Sequence, residues 1–303
     1  MNRIPYLSLD VFTDTQFEGN PLAVVIDPPA LSDDTMQRIA AEFNLSETIF
    51  LTGVGSERWD ARIFTPGGEL PFAGHPTVGG AVALAAGGHA VPQDDGIARI
   101  VLAEVAGDVA VSITFDGATP VSAQFAAPKP PEQLGAVILD DDLLALLRCV
   151  GLGEDDASPS MPAGTWSAGV PFTIVPLANI DALSRAVVDG GLLATYAAPA
   201  APPFLYLMAR DEPANSWRTR MFAAGLGIVE DPATGGAACA AAGLLASVAE
   251  DGQHTWRLTQ GVEMGRRSHM SLSAHVSSGM ATAVTLAGGA VLVGEGTLTL
   301  TAG

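Results

Sequence analysis

Lysine is almost missing from this sequence: Lys129 is the only one in 303 residues, and every other basic side chain is an arginine. A phosphate-cradling P-loop needs Gly-Lys-Ser/Thr, so nucleotide chemistry of that kind is excluded. Schiff-base catalysis needs a buried lysine, whereas Lys129 sits in Pro128-Lys129-Pro130-Pro131, which reads as an exposed linker. Cysteine is equally scarce. Cys149 and Cys239 lie far apart and in no CxxC spacing, which argues against a disulfide framework or a cysteine zinc site and points to a reducing cytoplasm. Cys239 reads as a core residue. The five histidines, at 75, 89, 254, 269 and 275, fall in no metal-ligand spacing, so neither a metal nor a cofactor is expected. No Gly-x-Ser-x-Gly elbow and no helix-opening Gly-x-Gly-x-x-Gly occurs. The N-terminal Met1-Asn2-Arg3-Ile4-Pro5 lacks a signal-peptide apolar core, and the longest apolar run, near Gly236 to Ala249, is too short for a membrane span.

What is abundant is apolar and acidic. Hydrophobic residues make up 48% of the chain against 16% charged, which supplies a core and excludes disorder over most of the chain. The 33 Asp and Glu against 14 Lys and Arg leave a formal net charge of −19. Such a surface repels phosphate backbones and anionic lipid, so nucleic acid and membrane are not expected partners.

Along the chain, strand alternation at Tyr6 to Phe12, a turn at Glu18-Gly19-Asn20 and a second strand at Pro21 to Ile26 read as a hairpin. Leu31-Ser32-Asp33-Asp34 offers the cap of a helix through Phe43, with Met36, Ile39, Ala40 and Phe43 on one face. Strands follow at Thr48–Leu51, Asp60–Phe64, Arg99–Leu102, Ala110–Phe115 and Ser122–Phe125, with a small-residue helix from Thr77 to Ala86. Gly153–Gly164 and Ala197–Pro203 read as loops. Strand and helix signals are mixed, so the fold class is α+β with largely antiparallel sheets. The stretch around Lys129 is the domain boundary, dividing 1–127 from 128–303, and the last strands could return to the first domain.

An internal repeat organises this pattern. Trp59-Asp60-Ala61-Arg62-Ile63-Phe64 recurs as Trp217-Arg218-Thr219-Arg220-Met221-Phe222. Glu69 through Gly74 matches Glu230 through Gly235, each leading into a Gly/Ala-rich helix, and Pro21–Val25 echoes Pro171–Val175. Two copies of one strand–turn–helix unit follow. The free amides and partial positive charge of the two helix N-termini could clamp a carboxylate, with Gly74 and Gly235 letting the backbone come close. Taken singly, each is also a tight turn against an Ala-rich helix. Acid–base candidates gather here. His75 follows Gly74, Asp231 precedes Gly235 by four, and Glu47 opens an apolar strand where a carboxyl pressed on apolar walls could trade protons near neutrality. Glu47 reads equally as a strand-end or salt-bridge residue, and His75 as a turn histidine bonded to backbone.

At these residues the chain resembles the PhzF family, the phenazine-biosynthesis-like proteins of the diaminopimelate epimerase fold. The matching stretches are Asp10 to Asp14, Phe17 to Val25, Ser46 to Phe50, Arg62 to Pro66 with Gly74 to Thr77, Glu230 to Gly235, and Gln260-Gly261 with Met264 to Arg266. The resemblance implies two pseudo-symmetric domains, each a mixed, mostly antiparallel sheet wrapped around a central helix, with the active site in the cleft between them. It implies that Glu47 is the catalytic acid/base, with His75 and Asp231 lining the same pocket, in a homodimeric enzyme. Asn20, Gly74, Thr234, Gly235 and Gly236 are the expected substrate-binding residues. The family's phenazine enzyme carries a serine where this chain has Gly236, so a side-chain hydroxyl contact is missing. A related branch of amino-acid racemases places a cysteine before each turn glycine; Ala73 and Thr234 stand there instead, which excludes racemisation by two thiols. The expected activity is that of a cofactor-independent isomerase moving a proton within a small carboxylate-bearing metabolite. A lyase or dehydratase acting on a hydroxylated acid, and a non-catalytic carboxylate-binding protein, remain the alternatives.

Overall fold

The computed structural model describes residues 2–54, 57–197, 204–223 and 229–300. The chain divides into two compact units, one made of residues 1–126 and 287–303, the other of residues 127–286. It is a mixed α/β fold, rich in sheet.

The first unit opens with β1 (Asn2–Val11) and β2 (Asn20–Ile26), which pair antiparallel with Leu9 opposite Leu22. Helix α1 (Asp33–Phe43) follows because Ser32 caps it, its Oγ accepting the Thr35 amide, with two aspartates in the first turn to suit the helix dipole. Its Met36, Ile39 and Ala40 pack into a cluster with Ile4, Val25, Phe50 and Phe64. Next come β3 (Glu47–Gly53), β4 (Arg58–Thr65), β5 (Gly68–Leu70), α2 (Gly74–Ala86), β6 (Ile97–Glu104), β7 (Gly107–Asp116) and β8 (Thr119–Ala126). β3 joins β2 in parallel, β4 pairs antiparallel with β3, β6 joins β4 in parallel, and β7 and β8 continue antiparallel.

Every residue of α2 except Ala86 is buried, and the helix touches β1, β2, β3, β6, β7 and β8. A helix without a polar face can exist only when it is enclosed by other elements. Small side chains make the enclosure tight. A Cβ at Gly79 would lie 2.5 Å from Leu22 Cδ2 and 2.6 Å from Val11 Cγ2, so any other residue there must push aside the Leu22 and Val11 side chains.

The second unit holds β9 (Glu132–Ile138), α3 (Asp140–Arg148), β10 (Ala163–Ser167), β11 (Pro171–Pro176), α4 (Ile180–Arg185), α5 (Gly190–Ala197), β12 (Phe204–Asp211), β13 (Ser216–Ala223), β14 (Glu230–Asp231), α6 (Gly235–Ala246), β15 (Gly252–Gln260), β16 (Ser268–Ser277) and the start of β17 (Met280–Leu300). β17 runs on into the first unit, where its residues 290–300 pair antiparallel with β1. Helix α6 is buried at every residue but Gly236 and touches β9, β10, β11 and β16. Cys239 is buried within it.

Two stretches read as loops need comment. Gly153–Gly164 contains a short 3-10 turn at Glu154–Asp156, and β10 already begins at Ala163. Ala197–Pro203 lies outside the described residues beyond its first position. Lys129 is exposed.

The sequence repeat has a physical counterpart in each unit. β4 pairs antiparallel with β5, Phe64 opposite Glu69, and in parallel with β6, Trp59 opposite Leu102. β13 pairs antiparallel with β14, Phe222 opposite Glu230, and in parallel with β15, Trp217 opposite Leu258. The guanidinium of Arg62 forks onto Glu69 at 2.6 and 2.8 Å while lying over the Phe64 ring. Arg220 forks onto Glu230 at 2.8 Å through both nitrogens and lies over Phe222. The repeated W-x-x-R-x-F thus encodes one device twice: a buried Trp, an arginine fork that pins the returning turn, and a ring beneath it.

Candidate active site

The first group of residues forms where β2, β3 and α2 begin. Parallel pairing sets Leu22 opposite Glu47, which brings the start of β2 beside the start of β3. Asn20 is fully buried there, and His75, the second residue of α2, is buried against it. His75 Nδ1 lies 3.2 Å from Glu47 Oε2 and 3.4 Å from Asn20 Nδ2. Burial opposes the imidazolium and holds the His75 pKa down at about 3, so the ring is neutral through the physiological range. A neutral imidazole carries one N–H. With the hydrogen on Nδ1 it donates to Glu47; with the hydrogen on Nε2, Nδ1 accepts from Asn20, and the contact with Glu47 then requires a proton on the carboxyl. The neutral ring can therefore meet Glu47 both as a carboxylate and as a protonated acid. This is what an acid/base that removes and returns a proton needs.

Helix α2 also starts without a side-chain cap, since Ala73 at the N-cap offers none. Thr77 bonds the Ala73 carbonyl and Pro76 has no N–H, which leaves the amides of Gly74 and His75 without a side-chain acceptor.

The second group forms around α6 and shares that property by a different route. Thr234 holds the N-cap position, yet its hydroxyl donates to Asp231 Oδ2 at 2.6 Å instead of capping the helix. Gln260, the last residue of β15 and fully buried, fixes the turn. Its Nε2 donates to the Asp231 carbonyl at 2.7 Å and to Thr234 Oγ1 at 3.0 Å, and its Oε1 accepts the Thr234 amide at 3.3 Å. Gly235 and Gly236 open the helix, and a Cβ at Gly236 would meet the Phe172 ring at 3.5 Å, an ordinary contact. By contrast, α1 and α4 are capped by Ser32 and Asn179. α3 also lacks a side-chain cap, but its first turn carries Asp140, Asp141 and Asp142, whereas α2 and α6 have no acidic residue there to compete with an anion.

The structure thus gathers Asn20, Glu47, Gly74 and His75 in the first unit, and Asp231, Thr234, Gly235 and Gly236 in the second. Two residues with a part in these turns had no role assigned from sequence. Gln260 lay in a recognised stretch but 26 residues from the Thr234 it holds. Glu104 is a buried carboxyl at the end of β6, beneath the turn that starts α2. Its signal was legible: Ala98, Ile100, Leu102 and Glu104 are all buried at a period of two, so strand alternation carries the acid onto the core face. Among the described residues no helix is long and apolar enough to cross a membrane.

A carboxyl–imidazole pair beside one uncapped helix N-terminus and a carboxyl–threonine turn at another leave the reaction class open. The comparisons with known proteins narrow it. The family model for phenazine biosynthesis-like protein (PhzC-PhzF) matches residues 9–296. An uncharacterized isomerase of Mesorhizobium japonicum is 38% identical over 304 residues, covering 97% of this chain and 98% of its own. The trans-2,3-dihydro-3-hydroxyanthranilate isomerase of Pseudomonas chlororaphis is 36% identical over 300 residues, covering 97% and 99%. In fold, the chain superimposes on the Bacillus anthracis phenazine biosynthesis protein of the PhzF family with a TM-score of 0.86, at 24% identity, over 99% of this chain and 100% of that one. The chain belongs to the phenazine biosynthesis-like (PhzF) family.

Proposed function

We propose that this isomerase shifts a proton within a small carboxylate-bearing metabolite by acid/base catalysis, using its own side chains and no cofactor. Glu47 takes the proton from carbon and returns it to another carbon of the same molecule, so the double bond moves and nothing is gained or lost. His75, neutral throughout, orients Glu47 in both of its protonation states while Glu47 itself holds the proton between the two steps. The first-turn amides of α2 receive the substrate carboxylate. In the second unit Asp231, fixed by Thr234 and Gln260, and the first-turn amides of α6 form the matching turn, and the two units are pseudo-symmetric copies, each with its small-residue helix at the centre of a sheet. The observation that carries the proposal is the Glu47–His75 contact of 3.2 Å beside an uncapped helix N-terminus.

The pairing register supports a single base. Thr48 lies opposite Phe64, and Leu205 lies opposite the repeat-equivalent Phe222. Phe204 therefore stands where the first unit has Glu47, and Gly236 where it has His75. Phe204 and Phe172 make a ring contact, their centroids 5.4 Å apart. An inversion at one carbon needs bases on two faces. A shift along the molecule needs one.

The test is Glu47→Gln, assayed by deuterium incorporation from heavy water into trans-2,3-dihydro-3-hydroxyanthranilate, the substrate named for the Pseudomonas relatives. Loss of a positioned general base costs about 10²–10⁴ in rate. Exchange at the wild-type rate would overturn Glu47 as the base.

A further inference from the structure

Glu104 is a buried titratable group that the reaction above does not use. Its Oε1 lies 2.6 Å from Thr77 Oγ1, and that same hydroxyl lies 2.7 Å from the Ala73 carbonyl oxygen. A hydroxyl has one hydrogen, and a carbonyl oxygen can only accept. If the Thr77 hydrogen goes to Ala73, the short contact with Glu104 is a hydrogen bond only when the acid supplies the hydrogen. The other oxygen agrees with this count: Glu104 Oε2 is buried and makes no close hydrogen bond among the described residues, with only a looser approach of the Ala73 amide to the carboxyl. A buried oxygen so poorly served is tolerable on a neutral acid and costly on an anion.

The second unit supplies an independent comparison. Trp59 is opposite Leu102 and Trp217 is opposite Leu258, so two residues further along the repeat Glu104 corresponds to Gln260. Gln260 holds the turn before α6 with an amide, donating through Nε2 and accepting the Thr234 N–H through Oε1. A neutral carboxylic acid offers one of that amide's two donors and the same kind of acceptor, and the Ala73 amide faces the Glu104 carboxyl as the Thr234 amide faces Gln260. The counterpart does its work without a charge.

We propose that Glu104 is a positioning residue, an un-ionised acid whose O–H, given to Thr77, holds the turn at Ala73 from which α2 and His75 set out, and whose ionisation sets an alkaline limit on the enzyme. This rests on the reading of Glu47 and His75 given above. Burial raises the Glu104 pKa to about 8, outweighing the opposing pull of the Thr77 hydroxyl and the Ala73 amide. Charged neighbours contribute little. α2 has His75 alone; β8 has no titratable group; on β4 and β7, Asp60 and Asp108 both lie opposite Ala103, so they leave the sheet on the face away from Glu104, and Asp108 is bound to Arg58. Asp116 and Arg62 lie further along those strands, Arg62 engaged with Glu69. Ionisation would leave Thr77 a single hydrogen for both the Glu104 carboxylate and the Ala73 carbonyl, so one of the two bonds is lost and the turn would give.

The experiment is a pH titration of the full chain labelled with ¹³C at glutamate carboxyls, run with a rate–pH profile, on wild type, Glu104→Gln and Glu104→Leu. One carboxyl signal should be un-ionised at pH 7, titrate near 8 and be missing from both variants. The wild-type rate should fall about ten-fold between pH 7 and pH 9, as the un-ionised fraction does. Glu104→Gln, which keeps a donor toward Thr77, should hold its pH 7 rate at pH 9, while Glu104→Leu should be slow at both. The proposal is overturned if the missing signal titrates in the ordinary carboxylate range, or if Glu104→Gln shows the same ten-fold fall. If the signal and the His75 amide shift share the midpoint near 8 but the rate stays flat, Glu104 keeps its place in the turn. It is then the assignment of His75 to the reaction that fails.

Discussion

Replacing Arg220 by methionine, and separately Arg62 by methionine, tests whether burial decides what the repeated arginine fork contributes. Both residues occupy the same place in the repeat, and methionine keeps most of the apolar stem. Their surroundings differ. The Arg220 side chain is 8% exposed and its partner Glu230 14%, and Nη1 also bonds the carbonyls of Leu183 and Ala186 at the end of α4, at 3.0 and 2.7 Å. Removing it strands a buried carboxylate and two carbonyls, a change that costs about 3–5 kcal/mol. Arg62 is 33% exposed and its fork partner Glu69 29%, with the second partner Asp33 80% exposed, so water can replace much of what the fork supplies. That loss should be about 1 kcal/mol. Urea unfolding followed by tryptophan fluorescence reads both, and each unit carries its own repeat tryptophan, Trp59 or Trp217. The double variant Arg220→Met with Glu230→Met should recover most of the loss, because no charge is then left buried alone. Equal losses in the two single variants would refute the reasoning, as would a double variant no better than Arg220→Met.

Two further outcomes follow from the site. His75 is neutral when folded down to about pH 3, whereas the unfolded chain takes up its proton near 6.5. The depressed folded value means this residue favours the native state above pH 6.5 and ceases to do so as the pH falls toward 3. The loss should reach about 2 kcal/mol at pH 5 and be absent in His75→Gln, measured by urea midpoints across pH 5–7; parallel slopes would contradict it. Gly236→Ser should fold with its thermal midpoint within a few degrees of wild type, because the new Cβ meets Phe172 at an ordinary 3.5 Å. By restoring the hydroxyl of the family's phenazine enzyme, it should raise kcat/KM for trans-2,3-dihydro-3-hydroxyanthranilate by about ten-fold, the worth of one hydrogen bond; an unchanged value would show that the hydroxyl plays no part.

How much could be read in advance depended on the distance over which each cause acts. Helix α1 was legible because its cap, its acidic first turn and its apolar stripe all lie within twelve residues. The β1–β2 hairpin was legible for the same reason. The small-residue helices were read to begin near Thr77 and Ala237, but they start at Gly74 and Gly235, because buried packing holds glycines in helix that propensity would leave in the turn. α3 went unread: its Leu146 and Leu147 earn their place only through packing with α4 and β12, far along the chain. In the site, Glu47 stood out as an acid opening an apolar strand. Its distance from His75 depends on a parallel pairing that no local pattern specifies. Glu104 was written in plain alternation, two residues past where the strand was taken to stop.

The strand that leaves the second unit and pairs with β1 has a consequence for how the chain is made. Residues 2–126 emerge from the ribosome first, but β1, with Ile4 and Leu9 in the core, pairs on one side only until residues 290–300 arrive. For the whole time of synthesis of the second unit, the first exposes an unfinished sheet edge, a known template for aggregation. The unit that carries Glu47 and His75 is begun first and completed last, so a ribosome that stops short of β17 releases a chain with every catalytic candidate present and the first unit unable to close.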